Sequence, residues 1–168
     1  MKKVLRFWGN QYTDVMTEDD ENRRSDKLLK SLIGVTSLIF LFIGMLHIFW
    51  AFGGSWGVNA ALPTEDDSKL PVLQPRMFGT LFIGLLCFFA FVLLLVQIDL
   101  FAVIQSSTLS KWFCIAGGIV FLLRAIGEGK YVGFFKKIKH TRFAKLDTAF
   151  YSPLCVWLSF IFLLASFI

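Results

Sequence analysis

Residues 31–52 and 77–98 each run for 22 positions without an Asp, Glu, Lys or Arg. At about 1.5 Å of rise per residue, such a run reaches roughly 33 Å as an α-helix, enough to cross the hydrocarbon layer of a bilayer. Two further apolar runs, 111–127 with Arg124 close to its end and 149–168, are shorter and fit that thickness tightly. Lipid offers backbone amides no partners and four strands cannot close a barrel, so all four runs must be helical. The expected fold is all-α: a polytopic membrane protein whose four-transmembrane-helix bundle occupies residues 31–168, behind a polar N-terminal tail at 1–30.

Composition agrees with a bilayer as solvent. Hydrophobic residues make up 56% of the chain, 20 of its residues are Phe, and the mean hydropathy is +0.66, more apolar than a surface facing water allows. Cys87, Cys114 and Cys155 all fall inside apolar runs, with no CxxC pair and an odd total. They read as small buried or lipid-facing residues rather than as a disulfide framework or a redox motif.

The tail holds seven Lys or Arg and six Asp or Glu, and it lacks an apolar core of signal-peptide length. It is expected to be a flexible segment and not a cleaved leader, although Val4, Leu5, Phe7 and Trp8 beside Lys2, Lys3 and Arg6 also suit a membrane surface. After the first span, Gly53-Gly54-Ser55-Trp56-Gly57 breaks the helix. Pro63, Pro71 and Pro75 with Glu65, Asp66 and Asp67 then make a loop in water. Beyond Asp99, apolar residues mix with Gln105, Ser106, Ser107 and Thr108, leaving the second helix room to continue.

Alternating spans put the end of the first, the start of the second, the end of the third and the start of the fourth on one membrane face. That face gathers His47, Trp50, Trp56, Arg124, Glu128, Asp147 and Tyr151; the opposite one carries Gln97, Asp99, Lys111 and the tail. Leaving out Arg124, Lys and Arg divide eight to eight between the two faces, with Lys111 at the very start of its span counted, so the positive-inside rule does not orient the chain. Arg23, Arg24, Lys27 and Lys30, directly before the first span, favour a cytoplasmic amino terminus.

Several groupings on the shared face carry chemistry. Arg124 and Glu128 are spaced i, i+4, so on a continuous helix they lie on one face and could form an ion pair at the hydrocarbon edge. An Arg there costs roughly 2.5 kcal/mol or more at the helix centre, which marks either a snorkelling anchor or a ligand site. His47, one turn before the end of its span, needs a hydrogen bond. It is either a proton donor or headgroup contact working with Glu128 or Asp147, or a His satisfied by a backbone carbonyl or water. Trp50 and Trp56 read as interface anchors.

Asp147 and Tyr151 share an i, i+4 face where the fourth span opens, with Asp147 also suited to cap it and Pro153 to its first turn. A polar pocket shared with Arg124 and Glu128 is the expectation to test. His47, Glu128, Asp147 and His140 come from separate segments without HExxH-like spacing, so no metal site is expected, and no cofactor motif is present.

The third loop interleaves Lys130, Lys136, Lys137, Lys139, Arg142 and Lys145 with Tyr131, Phe134, Phe135 and Phe143. In this setting basic plus aromatic means contact with an anionic lipid surface; nucleic acid is not expected, since a short loop between spans offers no folded stacking platform. Gly34, Gly44, Gly79, Gly84, Gly117 and Gly118 allow close helix approach, either within the chain or against a second copy or a partner subunit.

The strings His47–Gly57 (HIFWAFGGSWG), RAIGEGKYVGFFKK from Arg124, and FAKLDTAFYSPLC from Phe143 resemble a bacterial family of small four-helix membrane proteins catalogued as a domain of unknown function. The resemblance covers residues 31–168. It implies a bacterial plasma membrane and no particular activity. Three expectations follow for function: binding of a lipid headgroup or similar anion in the polar pocket, proton transfer by His47, Glu128 or Asp147 on a lipid-like substrate, or a non-catalytic subunit that packs against a partner.

Overall fold

A computed structural model describes residues 2–63, 76–101 and 106–168; the side chains of 2–18 and of Asn59 lie outside the description. The described residues contain helices and no strand. In chain order these are α1 (Lys2–Ala51), α2 (Val58–Ala61), α3 (Met77–Gln97), α4 (Thr108–Ile126), α5 (Arg142–Leu146), a π-helical turn (Asp147–Tyr151) and α6 (Ser152–Ala165). Four of the helical stretches are long and apolar enough to cross a membrane: Asp19–Ala51, Met77–Gln97, Thr108–Ile126 and Arg142–Ala165, the last running through α5, the π turn and α6.

The chain divides into two compact units, Met1–Leu32 and Ile33–Ile168. In the first, the tail expected to be flexible is helical from Lys2. No Gly or Pro interrupts positions 10–33, and the i, i+4 pairs Asp19/Arg23, Asp20/Arg24 and Asp26/Lys30 place opposite charges on shared helix faces.

The second unit is a ring of four antiparallel helices. α1 meets α3 at two glycines, where a Cβ on Gly44 would stand 3.3 Å from the Gly84 carbonyl oxygen. α4 meets α6 at another pair: a Cβ on Gly117 would come 3.0 Å from the Phe162 ring and one on Gly118 would come 3.3 Å from the Ser159 carbonyl oxygen. In lipid, where apolar burial supplies little drive between helices, such backbone proximity lets dispersion and short hydrogen bonds hold the bundle. Ser159 Oγ donates to Gly118 O at 2.7 Å, and Trp157 Nε1 donates to Thr36 Oγ1 at 3.2 Å, closing the ring from α6 back to α1. Phe40, Phe121 and Phe162 fill the centre, with ring centroids 5.4 to 5.8 Å apart.

Two element ends differ from the sequence expectation for identifiable reasons. α3 does not continue past Asp99. That residue takes the left-handed conformation at φ 55°, and Leu100 N–H turns back to Leu95 O at 3.2 Å, a helix-ending arrangement Asp tolerates. α4 starts at Thr108, ahead of Lys111, because Ser107 and Ser110 form a reciprocal capping box. Buried Gln97 completes that end: its Nε2 donates to Ala165 O at 2.7 Å and its Oε1 accepts from Ser110 Oγ at 2.7 Å.

Candidate functional site: a buried carboxylate between two cations

At the other end of the bundle, α4 stops at Gly127, whose φ of 86° suits only glycine, and the chain turns back over the end of its own helix. Phe134 N–H donates to Ala125 O at 2.9 Å, so the returning loop satisfies a carbonyl that the helix terminus would leave open. A Cβ on Gly127 would collide with the Val132 carbonyl, and one on Gly133 with the Ile126 carbonyl. These two glycines let the loop lie against the helix end.

Thr141 then caps α5, its Oγ1 accepting from Ala144 N–H at 3.2 Å. The following π turn gives Asp147 a partner at i+5: Ser152 N–H reaches Asp147 O, and Ser152 Oγ donates to Asp147 Oδ2 at 3.2 Å. Asp147, fully buried, is the centre of the site. Its Oδ1 accepts from Arg124 Nη2 at 3.0 Å. Its Oδ2 accepts from Gly133 N–H at 2.8 Å and from Lys136 Nζ at 3.0 Å. The ammonium of Lys136 also donates to Gly133 O at 3.0 Å and to Thr148 Oγ1 at 2.6 Å, which uses all three of its protons. One carboxylate thus holds the end of α4, the glycine loop and the start of α6 together.

Two expectations are corrected here. Glu128 does not pair with Arg124 along a helix, because the helix has ended at Gly127; Glu128 is exposed, and the guanidinium turns to Asp147. Lys136 is not a lipid-surface residue: it is 2% exposed and bound to Asp147, whereas Lys130, Lys137, Lys139, Arg142 and Lys145 are exposed. Phe134 and Phe135 are exposed beside them, and Lys130 Nζ stands 4.7 Å over the Tyr131 ring.

The other candidates lie apart from this cluster in their bonding. His47 Nδ1 is 2.8 Å from Ile43 O on its own helix, and its ring meets Trp50 edge-on at 5.2 Å. Trp50 Nε1 donates to Trp56 O at 2.8 Å, closing the glycine-rich turn, while the Trp56 side chain is exposed. Tyr151 OH donates to Ala60 O at 3.3 Å, tying the π turn to α2. Among the described residues no three His, Cys, Asp or Glu side chains are grouped to hold a metal ion. The cysteines are free and buried.

Arg124 is the open member of the cluster. Its side chain is 34% exposed while that of Asp147 is 0%, and its Nη1 is a buried atom with no hydrogen-bond partner among the described residues. A groove of about 470 Å³ elsewhere, between α1 and α6, is lined by Val35, Leu38, Ile39, Phe42, Phe150 and Leu154 and holds none of these polar groups.

Four membrane-length helices, closed at one end by a buried carboxylate and two cations, define a small multi-pass α-helical membrane protein. The chain belongs to the DUF3995 family, proteins of unknown function, which matches it over residues 40–162. No curated protein and no solved structure matches it. The cluster lies wholly inside the matched segment.

Proposed function

We propose that this end of the bundle binds an anionic lipid headgroup, or a soluble anion of the same chemistry, at one membrane face. The observation that carries the reading is Arg124: Nη2 is pinned by Asp147, Nη1 is buried with no acceptor among the described residues, and a third of the side chain as a whole is exposed. An unpaired donor at a guanidinium costs about 1–3 kcal/mol, a cost that an incoming oxyanion removes. The exposed Lys130, Lys137, Lys139 and Arg142 with Phe134 and Phe135 supply a basic, aromatic rim of the kind that rests on anionic lipid. In this reading the chain sits in a bacterial plasma membrane with its amino terminus cytoplasmic.

The proton-transfer alternative gains nothing from the bonding around His47 and Asp147: His47 Nδ1 faces Ile43 O on its own helix, while both Asp147 oxygens are held by other groups. The packing-subunit alternative needs a small-residue face open to lipid. Of the six glycines in the spans, Gly79 alone has nothing within 4 Å of an added Cβ.

The test is native mass spectrometry of protein in neutral maltoside, offered dioctanoyl phosphatidylglycerol or dioctanoyl phosphatidylcholine. Wild type is expected to retain the anionic lipid in preference, and Arg124→Gln to lose the preference. Equal retention of both lipids by wild type contradicts the proposal.

A further inference from the structure

The exposed cation is only half of the electrostatic problem, because Arg124 is bonded to a carboxylate that by itself would cancel it. Alone, Arg124 and Asp147 make a neutral pair. Lys136 changes the sum. It is buried, and all three of its protons are spent on Asp147, Gly133 and Thr148. With two cations against one anion, the three side chains carry one net positive charge. The geometry divides that charge unequally. Lys136 sits on Oδ2 together with Gly133 N–H and Ser152 Oγ, whereas among the described residues the hydrogen bond to Oδ1 comes from Arg124. Of the three side chains only that of Arg124 reaches the surface, in part, and the counter-charge on its Asp147 partner has been taken up underneath it by Lys136.

We infer that Lys136 is the positioning residue that makes Arg124 an anion receptor: by neutralising Asp147 from below, it leaves one uncompensated positive charge for a monoanionic phosphodiester, without touching the ligand. The inference rests on the anion-binding reading above. A single net charge matches a phosphodiester, which carries one negative charge, and a lipid headgroup and a free phosphate share that oxyanion chemistry. The glycine loop serves the same end. Gly133 offers Asp147 its N–H and Lys136 its carbonyl, so the loop fixes both partners of the buried pair at once.

The charge count gives an ordered set of outcomes that a purely structural Lys136 would not produce. Lys136→Met leaves a neutral Arg124–Asp147 pair, Asp147→Asn leaves two uncompensated cations, and Lys136→Met/Asp147→Asn returns the net charge to that of wild type. Binding of dioctanoyl phosphatidylglycerol in neutral maltoside, with zwitterionic dioctanoyl phosphatidylcholine, whose phosphodiester is offset by its own ammonium, as the net-neutral control, is expected to weaken about tenfold in Lys136→Met. It should strengthen about tenfold in Asp147→Asn and return to near wild type in the double variant. Tenfold is the size of effect expected for one unit charge several ångströms away at the effective dielectric of a protein boundary.

A double variant no better than Lys136→Met, or a Lys136→Met that binds like wild type, overturns the inference. If Lys136→Met does not fold, Asp147→Asn against the double variant carries the same comparison, and equal affinity of those two overturns it. Arg124→Gln separates the levels. Wild-type binding by Arg124→Gln removes the anion site itself, whereas loss in Arg124→Gln with no effect of Lys136 removes only the present inference. Repeating the series with inorganic phosphate assigns the source: the same order with phosphate supports a free-anion site, and the order with the lipid alone supports a headgroup site.

Discussion

Arg124 and Asp147 are 23 positions apart in the chain and 3.0 Å apart in space, Nη2 to Oδ1. The contact joins the last turn of α4 to the π turn inside the final span, and Lys136 closes it from the loop between α4 and α5. A buried carboxylate with two cationic partners is costly to assemble and more costly to break, since removing one partner leaves charge without compensation.

Asp147→Ala strands both cations. Its unfolding free energy is expected to fall by about 3–5 kcal/mol, seen as a markedly lower melting temperature in mild detergent. A loss below about 1 kcal/mol would show that the cluster does not hold this end of the bundle.

Glu128→Gln separates the geometry found here from the i, i+4 pairing that the spacing suggests. Because Glu128 is exposed beyond the end of α4, the substitution is expected to change stability by no more than about 0.5 kcal/mol. Arg124→Gln should melt clearly lower. Equal losses in the two would restore the Arg124–Glu128 pair.

Gly127→Ala and Gly133→Ala each place a Cβ against backbone carbonyl at positive φ, where no side-chain rotation relieves the clash. Each is expected to cost about 1–3 kcal/mol or more and to loosen the loop, which limited proteolysis between α4 and α5 would report as faster cleavage. Gly129→Ala, at φ 83° but with nothing within 4 Å, should cost less than either.

Packing should outweigh hydrogen bonding inside the bundle. Ser159→Ala removes one bond to Gly118 O and is expected to cost about 0.6 kcal/mol, the average for such bonds between membrane helices. Gly84→Leu forces α1 and α3 apart and should cost about 1–3 kcal/mol. Gly79→Leu, facing open space, should be neutral in the isolated protein; a large loss there would point to a partner on that face. Detergent-exchange melting of the three variants makes the comparison.

The four membrane-length helices were legible because the missing charges in 31–52 and 77–98 leave a chain no other fold. The placement of Arg124 and Asp147 at one end was legible from topology alone. Their pairing was not, because spacing assigns partners only within a continuous helix and cannot see that Gly127 ends one. Lys136 and Lys137 are identical neighbours in a basic loop. Which one turns inward depends on the path that Gly127 and Gly133 impose, and periodicity holds no record of that path. Ser152 was hidden for a similar reason: its contact with Asp147 exists at i+5, a spacing created by the π turn.

The most direct test of the anion site is to locate the lipid. Wild type in nanodiscs of phosphatidylcholine containing photoactivatable phosphatidylglycerol, labelled in the headgroup, would be irradiated and its cross-linked peptides mapped. Cross-links are expected to concentrate on the end of α4 and on residues 127–145 and to be lost in Arg124→Gln. Cross-links spread evenly around the bundle, or gathered near Gln97 and Ser110 and unchanged in that variant, would contradict the anion site.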